Sequence, residues 1–110
     1  MEIEFDDKRF EQECKDSRAL VRRFGERNAR VLRRRLDDLD AAESLEDLRN
    51  LPGRCHELLG NRSGQISLDL VHPLRLSFVS ATEGSRRPDG GLDWSAIKAI
   101  KILRVEDTHE

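Results

Sequence analysis

Two runs of apolar–polar alternation, separated by three residues, constrain this chain more than any other feature. In residues 65–70, Ile66, Leu68 and Leu70 point one way and Gln65, Ser67 and Asp69 the other. In residues 74–80, Leu74, Leu76 and Phe78 are apolar, with Arg75 and Ser77 opposite. Directly paired residues share a sheet face, so apolar must oppose apolar. Pairing Leu70 with Leu74 leaves the loop Val71-His72-Pro73 and sets Leu68 against Leu76 and Asp69 against Arg75. The spacing predicts an antiparallel hairpin with one apolar face for helices and one polar face left open.

Upstream, the period changes from two to helical. Phe10, Cys14, Leu20, Val21 and Phe24 recur near helical spacing, with slack around Ser17; Asp6 or Asp7 suits the N-cap and Gly25 the end. A second helix from about Glu26 to Ala42 carries Ala29, Leu32, Leu36 and Leu39 as its apolar stripe. The short turn between the two makes an antiparallel helical hairpin. Ile3-Glu4-Phe5 reads as a short edge strand. Ser44-Leu45-Glu46-Asp47 is a capping-box variant, opening a short helix that ends at Pro52-Gly53. Residues 54–59 form a strand closed by the loop 60–64. Residues 82–93, rich in Gly, Pro and charge, form the longest loop. Residues 94–105 form the last strand, with a helical turn at its start. With 110 residues, the whole of 1–110 is one domain. Its fold class is α+β: an N-terminal helical hairpin packed on one face of a small antiparallel β-sheet.

The net charge of −2 hides a strong segregation. Residues 18–36 hold eight arginines and one acid, Glu26, whereas the flanks 1–17 and 37–53 are acidic. Arginine presents a planar fork that matches phosphate. A near-neutral protein with such a segment can still offer a local field to a polyanion. Arg23, Arg27, Arg30 and Arg34 stand at near-helical steps off the apolar stripe, and the last three share one solvent face. The plain alternative is a solvated helix laced by ion pairs to the neighbouring acids.

Several classes are excluded. No apolar run approaches the ~20 residues that span a bilayer. The acidic N-terminus, with no long apolar stretch after it, does not read as a signal peptide. Cys14 and Cys55 lie far apart at no metal-ligand spacing and read as free thiols in a reducing cytoplasm. There is no glycine-rich phosphate loop.

The order and spacing of several short stretches carry a resemblance. They are Leu45-Glu46-Asp47-Leu48, Leu51-Pro52-Gly53, Cys55-His56-Glu57-Leu58 with Gly60, Gly64, Leu74-Arg75-Leu76-Ser77-Phe78, and Glu106-Asp107-Thr108-His109. Together they resemble the HigB branch of the RelE/ParE toxin superfamily, from the second helix onward. The resemblance implies a toxin of a type II toxin–antitoxin module, a ribosome-dependent endonuclease that cuts mRNA in the ribosomal A site. It implies no cofactor and no metal. Its partners would be a cognate helix-turn-helix antitoxin, the ribosome and mRNA, with operator DNA reached only through the antitoxin.

Such cleavage needs a base for the ribose 2′-hydroxyl, an acid for the leaving 5′-oxygen, and fixed positive charge for the phosphate. Histidine suits the first two roles. The resemblance assigns His109 first and His56 second as acid or base, with Asp107 orienting His109 and Arg75 at the phosphate. Taken alone, His109 reads as a tail histidine, His56 as a half-buried strand histidine and Arg75 as a cross-strand partner of Asp69. His72 reads as a loop residue with no role. Arg27, Arg30 and Arg34 would grip ribosomal RNA. The chain departs from the family pattern at Leu59, where a lysine is common, and at Thr108, where tyrosine is common. Arg62 is the candidate to replace the lysine's charge. Two other functions follow from these departures and from the superfamily: a catalytically degenerate homologue that binds antitoxin and regulates its operator, and a gyrase-inhibiting toxin.

Overall fold

Two aspartates decide where the helical N-terminal part breaks. In the computed structural model, which describes residues 1–108, strand β1 (Glu2–Phe5) leads into helices α1 (Lys8–Cys14), α2 (Ser17–Phe24) and α3 (Glu26–Ala41). The sequence predicts one helix where α1 and α2 stand. Asp16 ends it: its carboxylate accepts from the backbone N–H groups of Arg18 and Ala19, at 3.0 and 3.3 Å, with its own backbone extended. That satisfies orphan donors at a new helix start and resets the chain direction. Asp7 caps α1 in the same way, and Gly25 ends α2 as expected.

Among the described residues, the rest is a five-stranded sheet with three short 3₁₀ segments. Strands β2 (His56–Glu57), β3 (Gln65–Asp69), β4 (Leu74–Ser80) and β5 (Ala99–Asp107) join β1 in the order β1-β5-β4-β3-β2. The hairpin register is the one the alternation predicts, with Leu68 opposite Leu76 and Asp69 opposite Arg75. Beyond the last ladder pair, the Leu70 amide donates to the Leu74 carbonyl at 3.0 Å.

Other expectations need correction. The sheet is mixed rather than antiparallel, because β1 pairs with β5 in parallel. Of the strand expected over 54–59, only His56–Glu57 pairs with β3. Arg54 just before it has a positive φ of 49°, off the extended conformation a strand needs. Residues Leu45–Asn50 form a 3₁₀ rather than an α-helix, and the Ser44 side chain does not cap it. Instead the Asp47 carboxylate accepts from the Glu43 amide.

One hydrophobic cluster joins the two halves. Leu20 of α2 and Ala29, Leu32 and Leu39 of α3 are buried with Ile66, Leu68, Leu76, Phe78, Ile100 and Ile102 from the strands. Burying each large side chain contributes about 1.5–3 kcal/mol. Polar ties fix α3 against the hairpin. The Asn28 side chain accepts from the Val71 amide at 2.9 Å, and Arg35 Nε donates to the Asp69 carbonyl at 2.9 Å. Gly53 makes room for that arginine: its φ is +114°, and a Cβ there would stand 2.7 Å from Arg35 Nε. Among the described residues no helix is long and apolar enough to cross a membrane.

Candidate functional site

The polar face of the sheet is built by a single extra residue. Phe78 pairs with Ile102, but Ser77 pairs with Arg104, so Leu103 is bulged out of the ladder. A bulge reverses the parity of everything beyond it. Without it, Arg104 and Glu106 would fall on the face of Leu74 and Leu76. With it, Arg104 stands beside Ser77 and Glu106 opposite Arg75. Through Ser67, which pairs with both His56 and Ser77, His56 belongs to the same face.

Glu106 is the hub of that face. Arg62 donates to both of its carboxylate oxygens, at 2.6 and 2.8 Å, while holding the Gln65 side-chain oxygen at 2.6 and 3.1 Å. Arg75 Nη2 lies 3.4 Å from Glu106 and Arg104 Nη1 3.9 Å. The Arg62 hydrogen bonds, helped by the Ser77 hydroxyl and the Arg75 charge, outweigh burial and hold the Glu106 carboxyl at about 2. The side chains of Arg75 and Glu106 are only 19% and 16% exposed. Around Ser67 and Ser77, both fully buried, the polar face is therefore covered by its own ion network. Two buried polar atoms on it, Ser67 Oγ and Arg75 Nε, have no hydrogen-bond partner among the described residues. Three cations share one anion, so the cluster is matched to a second anion that accepts from planar donors.

The Nδ1 atom of His56 lies 2.7 Å from the Arg54 carbonyl oxygen. A carbonyl only accepts, so in the neutral ring Nδ1 carries the proton and Nε2 carries the lone pair. Arg75 does not pair with Asp69 across the ladder. Asp69 binds Arg54 at 2.9 Å, and Arg75 turns to Glu106. Asp107 is opposite Leu74, which places it on the other sheet face from Arg75 by strand alternation. Thr108 nevertheless ties back to the hairpin: its amide donates to the Pro73 carbonyl at 2.8 Å. There a cleft of about 230 Å³ is lined by Arg54, Asp69, His72, Arg75 and Thr108. His72 thus stands in the wall of a cleft beside Arg75, where the sequence reading gives it no role. His109 lies outside the described residues.

Arg27, Arg30 and Arg34 are all exposed on α3, one helical turn apart in succession, as their spacing predicts. Arg30 pairs loosely with Glu26 at 3.8 Å. Leu59 is 85% exposed, while Arg62 three residues on supplies a charge to the same face as Arg75.

Sequence reasoning misses Glu106, Arg104 and Gln65. The signal is present in retrospect: apolar positions run 100 and 102, then 103 and 105, and that change of parity marks the bulge. Compared with known proteins, the chain matches no family model and no curated protein.

Proposed function

We propose that this chain is the toxin of a type II toxin–antitoxin module, a ribosome-dependent mRNA endonuclease similar to the HigB branch of the RelE/ParE superfamily. The observation that carries the reading is the grouping of Arg62, Arg75 and Arg104 around one carboxylate, on the sheet face that also bears His56. In this reading α2 and α3 act as a helical hairpin on the apolar face, and the polar face receives RNA. His56 Nε2 takes the proton of a ribose 2′-hydroxyl. The 2′-oxygen then bonds to the adjacent phosphorus, the P–O5′ bond breaks, and an acid protonates the leaving oxygen. The products are a 2′,3′-cyclic phosphate and a 5′-hydroxyl. His109 is that acid, and Asp107, next to it in sequence but across the sheet from Arg75, serves only to hold it. Arg62 and Arg75 exchange Glu106 for the scissile phosphate, whose charge they stabilise as it grows. Arg27, Arg30 and Arg34 hold ribosomal RNA through phosphate contacts. The protein works in the cytoplasm and is silenced by a helix-turn-helix antitoxin.

A second reading, a non-enzymatic antitoxin-binding homologue, is favoured by Glu106 already occupying the arginines and by Leu59 and Thr108. Inducible expression without antitoxin separates the readings. Growth arrest with truncated transcripts supports the endonuclease, and normal growth supports the binding protein. DNA breaks with intact transcripts would support the gyrase inhibitor instead.

A further inference from the structure

Beside the arginine cluster the polar face deepens into a pocket of about 620 Å³, where the 82–93 loop folds back over the ends of β3 and β4. We infer that this pocket receives the base of a single-stranded nucleotide whose phosphate sits on the Arg62–Arg75 cluster. The inference rests on that cluster being a phosphate site, and it adds where the base goes and which residue holds it.

Four observations support it. The volume is ample for one small planar ligand. The lining is apolar at Val79 and Leu92 and polar at Gln65, Thr82, Ser85 and Arg86, the mixture that a base, with two apolar faces and a polar edge, requires. The wall is built, not a loose loop: the Ser80 and Ser85 hydroxyls lie 3.0 Å apart, and Thr82 Oγ1 accepts from the amides of Lys98 and Ala99 at 3.0 and 3.1 Å. Finally, Gln65 spans both sites, lining the pocket while its side-chain oxygen accepts from Arg62 at 2.6 Å.

Arg86 is the residue we assign to the base. Among the described residues no aromatic side chain lines the pocket. Unstacked RNA bases lie on aromatic rings or on guanidinium planes, and Arg86 supplies the only guanidinium in the described lining. Its Nη1 donates to the Gly90 carbonyl at 3.1 Å. Its Nη2 lies where Gly64 has no side chain: a Cβ there would stand 2.9 Å away. The absence of that carbon lets the guanidinium lie against the backbone at the pocket's edge.

The test is calorimetric titration of the full chain with adenosine 3′-monophosphate, cytidine 3′-monophosphate and inorganic phosphate. The nucleotides should bind about tenfold tighter than phosphate, the gain of one stacked base. Arg86→Ala and Arg86→Lys should both erase that advantage while leaving phosphate affinity and the melting temperature unchanged, since lysine keeps the charge but not the plane. Equal binding of nucleotide and phosphate by the unaltered chain overturns the inference, as does a nucleotide advantage that survives Arg86→Ala. Failure to bind any of the three overturns it together with the phosphate site. A nucleotide advantage without RNA cleavage would sink the nuclease reading alone.

Discussion

Replacing Glu106 by glutamine removes the one anion shared by three guanidinium groups while keeping the shape of the side chain. The carboxyl is held at about 2 against an ordinary 4.5, a difference equivalent to roughly 3 kcal/mol. Arg62 and Arg104 are 31% and 55% exposed, and solvent screening at those partners lowers the figure to about 2 kcal/mol. Because the folded-state value is depressed, the stabilisation is complete above the unfolded value near 4.5 and is lost as pH falls through about 2. Urea unfolding of both proteins, followed by circular dichroism from about pH 7 down to about pH 2, reads this directly. The variant should be about 2 kcal/mol less stable near pH 7, and the gap should shrink to a few tenths of a kcal/mol near pH 2, where the native carboxyl is about half protonated. A gap that stays constant across that range would refute the argument that Glu106 is stabilised as an anion by its arginines.

Three further outcomes are expected, the first from the proposed nuclease function and the others from the geometry. His56→Ala should slow RNA cleavage about 10²–10⁴-fold without changing thermal stability by more than a few degrees; full activity would remove His56 from the chemistry. Burial pushes the Cys14 and Cys55 thiols up to about 12, so neither should react appreciably with iodoacetamide near pH 8 until the protein is unfolded. Free-thiol rates in the folded protein would contradict this. Asp16→Ala should cost about 1 kcal/mol in denaturant unfolding, since both hydrogen bonds of the α2 cap are lost; an unchanged midpoint would show that the cap does not set the helix break.

The central hairpin was legible because its two alternating runs and short loop admit one register that keeps apolar residues together. The exposed arginines of α3 were legible for the same reason, being a periodic pattern with no long-range partner needed. The break at Asp16 was harder, since an aspartate inside a helical pattern declares itself as a cap only when the next backbone amides turn toward it. The sheet's parallel edge depends on which strand β1 meets after the chain has folded, and local pattern carries no such information. The site shows the same division. Arg75 follows from strand parity and His56 was placed by the resemblance, but Glu106 and Arg104 reach their face only through the bulge at Leu103. A one-residue change of parity is a weak mark in the sequence and decides the whole electrostatics of the face.

Phosphodiester cleavage at the arginine-lined face is tested most directly by end-group mapping of cellular transcripts after expression of the chain without antitoxin, beside an Arg75→Ala variant. New 2′,3′-cyclic phosphate and 5′-hydroxyl ends are expected from the unaltered chain and none from the variant. Intact transcripts from the unaltered chain, or identical cleavage by Arg75→Ala, would contradict the proposed function.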